Sequence, residues 1–167
     1  MTRPFFDPYR TVIQRLNRLG VRYIVVGMAG INYYAATPRE TFATMDYDLL
    51  LEPTLVNVER ALRGLRALGF TVGTADGAVT PADLRRVVRQ RRTLIATTTD
   101  GLMVELLLGV SGYPFSELAR DARTFTVRGV PVRVGRLAQL LHSKRLADRP
   151  KDRAFLKRYT TLLEEER

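Results

Sequence analysis

Residues 45–52 read Met45-Asp46-Tyr47-Asp48-Leu49-Leu50-Leu51-Glu52, an apolar strand that opens on two aspartates. Side chains alternate across a strand, so Asp46 and Asp48 share one face and bring both carboxylates within reach of a single cation. Two negative charges side by side cost energy unless a cation or basic ligand compensates them, and here they interrupt an otherwise apolar run. Magnesium suits the arrangement. It prefers oxygen ligands at about 2.1 Å, keeps several waters, and takes one or two carboxylates beside substrate phosphates. Taken alone, the pattern is equally that of two exposed strand-end carboxylates, and its surroundings must decide.

Helical and strand-like segments alternate on either side. Val12, Ile13, Leu16 and Leu19 recur at three- and four-residue steps, which predicts a helix over 8–19 that Gly20 stops. A β-branched run over 22–27 reads as a buried strand leading straight into a helix over 29–36. Beyond a polar connection at 37–41 comes the strand at 45–51, ended by Pro53, and then a long helix from Thr54 through Leu68 to Gly69. Residues 70–72 are strand-like, 73–78 read as loop, and Thr80-Pro81 starts an arginine-rich helix with proline at its first position. Two β-rich runs, 93–98 and 102–108, are joined by Asp100-Gly101, the signal of a two-residue type I′ hairpin. A second hairpin is expected around Gly129, between 124–128 and 131–134. Two helices finish the chain, the first ending near Ala147 and the second running from Lys151 into an acidic tail, with Pro150 between them. The expectation is an α/β chain in the α+β sense, a single domain over 1–167 whose C-terminal part, about 136–167, is helical.

Composition narrows the partners. Against 17 Asp and Glu stand 27 Lys and Arg, a net charge of +10, so polyanions are expected. Arginine dominates the excess, at Arg85, Arg86, Arg89, Arg91 and Arg92 and again around Arg145, Arg149, Lys151, Arg153, Lys157 and Arg158. Its planar fork suits phosphates, although a solvated basic helix face gives the same pattern. With no cysteine, disulfides, thiolate zinc sites and cysteine nucleophiles are excluded. No apolar run approaches the roughly 18 residues that would span a bilayer, and the first residues lack the apolar segment of a secretory signal. A soluble, cytoplasmic protein with no membrane partner is expected.

Four segments together resemble the polymerase-beta-like nucleotidyltransferases, and among them the bacterial group related to abortive-infection toxins of the AbiEii type. Tyr23-Ile24-Val25-Val26-Gly27-Met28-Ala29-Gly30 resembles the family's strand, glycine turn and helix. Arg39 and Thr44 precede Asp46-Tyr47-Asp48 much as an Arg and a Thr precede the family's D-x-D. Glu105, within Leu102-Met103-Val104-Glu105-Leu106-Leu107-Leu108, resembles the third acid on a neighbouring strand. Lys144, Arg149, Lys151 and Asp152 resemble the basic and Lys-Asp pattern of the closing helices. Met28 stands where the family has a second glycine or serine, Glu105 stands where Asp is commoner, and the spacing from Gly27 to Asp46 is longer than in many relatives.

The resemblance implies a minimal nucleotidyltransferase fold, a mixed and mostly antiparallel sheet flanked by helices. It also implies transfer of NMP from an NTP to an RNA, tRNA foremost, or to a protein, in a toxin paired with an antitoxin protein. Asp46, Asp48 and Glu105 would be the catalytic and metal-binding acids, for Mg²⁺ or Mn²⁺, in a two-metal pattern. Gly27, Met28, Arg39, Thr44, Lys144, Arg149, Lys151 and Asp152 would bind the nucleotide, with the triphosphate on the backbone of the Gly27 turn. Plainer readings stand beside these. Gly27 can simply end a strand, Glu105 can face solvent on an edge strand, Lys144 can be a solvated charge and Asp152 a helix cap. His142, the lone histidine, suits a surface role, and Tyr33, Tyr34 and Tyr47 pack on a sheet as readily as they stack on a base. A catalytically silent nucleic-acid-binding module and an antibiotic-modifying enzyme are the competing functions. The latter would want acids beyond the triad.

Overall fold

The computed structural model of the protein describes residues 8–35, 41, 44 and 46–165. Among them the chain runs α1 (Pro8–Arg18), β1 (Tyr23–Val26), α2 (Gly27–Asn32), β2 (Tyr47–Leu51), α3 (Leu55–Ala67), β3 (Thr71–Thr74), β4 (Gly77–Ala78) and α4 (Pro81–Arg89). It continues through β5 (Leu94–Thr97), β6 (Met103–Leu107), α5 (Phe115–Asp121), β7 (Arg123–Val127), β8 (Val130–Val134), α6 (Leu137–Ala147) and α7 (Pro150–Glu165). All the strands join one sheet in the order β4-β3-β5-β6-β2-β1-β8-β7. The sheet is mixed and mostly antiparallel, with only β1–β8 and β2–β6 running parallel among its pairings.

Central position explains the composition of β1 and β2. Strands covered on both faces read as continuous apolar runs rather than alternating ones. Accordingly every residue of β1 is buried, as are Leu49, Leu50 and Leu51. The apolar stripe of α1 sinks Val12, Ile13 and Leu16 into the core, and α3 buries Val58, Ala61, Leu62 and Leu65. Thr54 caps α3, its Oγ1 accepting from Asn57 N at 3.3 Å. Asn57 is itself buried and works as a polar clamp. Its side chain accepts from Arg22 N at 2.8 Å and donates to the carbonyls of Arg22 and Glu52 at 2.9 and 3.0 Å, tying α3 to the entry of β1 and the exit of β2.

Four local expectations need correction. The β5–β6 connection is not a two-residue type I′ turn. Thr98 N donates to Leu102 O and Gly101 N to Thr98 O, and only Gly101 has positive φ, so a three-residue loop closes on a glycine bulge. Type I′ geometry occurs instead at Arg128 and Gly129, with φ 47° and 80°, between the paired Val127 and Val130. Residues 73–78, read as loop, form the short β3–β4 hairpin. Helix α5 was not foreseen because it buries a single residue, Leu118, and so leaves no period to read. Helix α2 begins at Gly27 and ends at Asn32, earlier than the expected 29–36, of which Ala36 lies outside the described residues.

Candidate active site

Strands β2 and β6 lie side by side with Asp48 in register with Glu105. In-register neighbours on adjacent strands project to the same face, and Asp46, two residues before Asp48, joins them. One carboxylate oxygen from each of Asp46, Asp48 and Glu105 lies within 4.8 Å of the other two. Tyr47, between the two aspartates, points the other way and is buried. Its ring stacks on Tyr9 at 4.5 Å between centroids, and its hydroxyl bonds that of Tyr33 at 2.5 Å. Tyr34 donates to Gly135 O at 2.7 Å. These tyrosines therefore brace the sheet. Thr44 sets the approach to β2, its hydroxyl donating to Asp46 O at 3.1 Å and accepting from Asp46 N at 3.3 Å.

Gly27, at the end of β1, has φ +64°, and a β-carbon there would stand 2.1 Å from Asp48 Oδ2. Both facts exclude a side chain, because the left-handed backbone disfavours one and the carboxylate already fills its place. Helix α2, which starts at this glycine, spans only six residues. So short a helix carries little dipole, and the weight of anion binding expected at its N-terminus shifts to cationic side chains.

Those cations come from α6, from α7 and from the link between them. Asp152, in the first turn of α7, is 1% exposed. It accepts from Arg149 N at 3.3 Å, closing the helix start as the acidic half of a capping box does. The same carboxylate accepts from Arg149 Nε at 2.7 Å and from Lys144 Nζ at 3.5 Å. The helix-cap reading of Asp152 is thus the one the geometry matches, with the added task of holding two cations. Lys144 also lies over the Phe155 ring at 4.9 Å. Lys151 is exposed, and no hydrogen bond or ion pair engages it among the described residues.

The electrostatics follow from crowding. Burial, then the neighbouring charges of Glu105 and Asp46, push the Asp48 carboxyl up to about 7, against the pull of Lys144 and Lys151. Burial and Asp46 raise Glu105 in the same direction. Burial lowers the Lys144 ammonium, only partly offset by Asp152. The bonds from Arg149 and the charge of Lys144 hold Asp152 below the ordinary range in spite of its burial. Three carboxylates that resist joint ionisation are a donor set that a hard divalent cation relieves, and their span fits oxygen ligation with small adjustment.

A cavity of about 620 Å³ opens over the acids. Gly27, Met28, Thr44, Asp46, Asp48 and Glu105 line it from the sheet, and Lys144, Arg149, Lys151 and Asp152 from the closing helices. Arg39 lies outside the described residues. Sequence reasoning missed the rest of the lining, including Thr93, Gly109, Ser111, Gln139 and Ser143. Only the alternation of β6 and the helical period of α6, which set Gln139, Ser143 and Lys144 on one side, carried any signal for it. His142 takes no part in the lining; its Nδ1 bonds the Tyr113 hydroxyl at 2.6 Å.

No protein-family model matches the sequence, and no curated protein matches it. Among solved structures the chain is similar to ANT(2")-Ia in complex with adenylyl-2"-tobramycin, with a TM-score of 0.53 and 14% identity over 93% of this chain and 88% of that one. The chain has a nucleotidyltransferase-like fold. In this fold the acid cluster sits at the start of β2 and the middle of β6, beneath the C-terminal helices. Among the described residues, no helix is long and apolar enough to cross a membrane.

Proposed function

We propose that the protein is a divalent-metal-dependent nucleotidyltransferase that moves NMP from an NTP to a hydroxyl of an RNA, tRNA foremost. The observation that carries this reading is the convergence of Asp46, Asp48 and Glu105 within 4.8 Å in a cavity whose other charged residues, among those described, are Lys144, Arg149, Lys151 and the ion-paired Asp152. A volume near 620 Å³ is of the size that holds a nucleotide.

Asp46, Asp48 and Glu105 would hold Mg²⁺ or Mn²⁺, which would supply positive charge to offset that developed in in-line displacement. The chain's own residues supply the rest. Lys144 and Lys151 receive the triphosphate, and Arg149, fixed by Asp152, adds its fork. The acceptor oxygen forms a bond to the α-phosphorus as the bond to the β-bridging oxygen breaks and pyrophosphate leaves. The acceptor's proton goes to a Glu105 carboxylate oxygen, which lies level with Asp48 on the neighbouring strand.

An acceptor of the tobramycin kind is a polyamine and calls for carboxylates beyond those that hold metal. Among the described residues the one further acid lining the cavity, Asp152, is already engaged by Lys144 and Arg149, which favours an anionic acceptor. The resemblance to AbiEii-type toxins makes a toxin with a cognate antitoxin protein the cellular setting. Expression of the wild type should then arrest growth, and Asp48→Ala should not.

The direct test is incubation with α-labelled NTPs, Mg²⁺ and total tRNA. Label should enter RNA, and Asp46→Ala or Asp48→Ala should remove it. Equal labelling by the variants dismisses the site, whereas label in polypeptide alone dismisses RNA as acceptor.

A further inference from the structure

Part of the arginine excess lies on α4 and the turn after it, where Arg86 pairs with Asp83 at 3.4 Å and Arg92 pairs with Asp76. Arg91, between them, differs in three ways. Its φ is +52°, with Arg91 N bonded to Val88 O and Arg92 N to Val87 O, each at 3.0 Å. That is the helix-ending geometry in which this residue is usually glycine, because a β-carbon there crowds the backbone. The residue is exposed, and no hydrogen bond or ion pair engages its guanidinium among the described residues. Its stem passes Gly109, Cδ lying 4.0 Å from where a β-carbon on that glycine would stand, and Gly109 and Thr93 both line the cavity over the acids.

The other non-glycine residues at positive φ among those described, Arg128 and Asp148, have local reasons for it. Arg128 sits in a type I′ turn and its carbonyl accepts from Arg10 at 3.2 Å, while Asp148 is paired with Arg153 at 3.2 Å. Arg91 carries the same backbone cost with no hydrogen bond or ion pair of its side chain among the described residues. A strained residue beside a cavity points to a use for the side chain rather than for the turn.

We infer that Arg91 is an acceptor-binding residue, its guanidinium holding a backbone phosphate of the RNA where Thr93 and Gly109 line the cavity. The inference rests on the nucleotidyltransferase reading for its direction. A planar fork with no partner to give up binds a phosphate without breaking an existing pair.

The test is binding of fluorescein-labelled tRNA, without NTP, across a salt series, for wild type, Arg91→Gly and Arg91→Lys. Arg91→Gly should raise the thermal midpoint by about 2–4 °C by relieving the turn. It should also weaken tRNA binding about tenfold and lower the slope of log affinity on log salt by about one. Arg91→Lys should keep the wild-type midpoint and most of the slope. A purely structural arginine cannot give a protein that is more stable and binds less RNA. A lowered midpoint in Arg91→Gly, unchanged affinity and slope, or no tRNA binding by the wild type would each overturn the inference. Because no NTP is present, failure of the catalytic reading is seen separately, in the labelling of Asp48→Ala.

Discussion

Gly27 and Asp48 share one small volume, and each limits what the other position accepts. Gly27→Ala must either push the Asp48 carboxylate aside or move the end of β1, while its own φ disfavours a side chain. We expect it to cost about 1–3 kcal/mol in urea denaturation and to remove nucleotidyl transfer. Asp48 sets a pH dependence of unusual sign for an acid. Folded, it keeps its proton up to about 7; unfolded, it releases it near 3.8. Between those values the folded chain binds more protons than the unfolded one, so its contribution to stability falls as pH rises through that window. Glu105 adds to the fall, whereas Asp152, with its affinity for protons lowered, loses its contribution only on acidification below 3.8. Thermal midpoints in EDTA should therefore drop between pH 5 and pH 8, Mg²⁺ should restore the loss at pH 8, and Asp48→Asn should flatten the profile. An Mg²⁺ response retained in full by Asp48→Asn would count against the acid cluster as the metal site.

At the scale of elements, the site is an agreement between the start of β2, the middle of β6 and two helix ends. Strands β2 and β6 contribute the acids; α6, α7 and the link between them contribute the cations, joined through one buried carboxylate. Asp152 begins α7, fixes Arg149 and balances Lys144, so its removal strips a cap and leaves a half-buried ammonium unpaired. Asp152→Ala should lower stability by about 2–4 kcal/mol and weaken NTP binding measured by calorimetry. Asp152→Asn should recover part of the cap and little of the NTP affinity, a split that a role confined to helix capping would not produce. Much at this scale could be read in advance. Thr54 and Thr80-Pro81 announce α3 and α4, and Gly69 the end of α3's last turn, because capping chemistry is local. The clamp made by Asn57 could not be read, since its partners are backbone groups of Arg22 and Glu52 that only the folded chain brings to it.

For the whole molecule, a net charge of +10 is a statement about partners rather than about fold. Arg91 beside Gly109 and the cations of α6 and α7 put positive charge at the cavity, while the acids within it need an ion. Binding to tRNA should accordingly weaken about a thousandfold between 50 and 200 mM salt. Mg²⁺ binding, measured by the rise in thermal midpoint, should be far less sensitive, because its ligands lie within the cavity. Salt-independent tRNA binding would contradict a phosphate-driven acceptor site.

Sequence by itself determined the alternation of helices and strands, the apolar strand that opens on Asp46 and Asp48, their common face, and the basic excess. All of these follow from periods of two and about three and a half residues, from Gly and Pro punctuation, and from counting charge. It placed a type I′ turn at Asp100-Gly101 instead of Arg128-Gly129, because turn type depends on strand register as well as on the turn dipeptide. Tertiary structure alone decided that β6 lies parallel to β2 with Glu105 level with Asp48, that Asp152 gathers Lys144 and Arg149, and that the Arg91 stem passes Gly109 beside the cavity. Strand neighbours and helix docking are chosen by which apolar faces bury one another across the chain, and no local period encodes that choice.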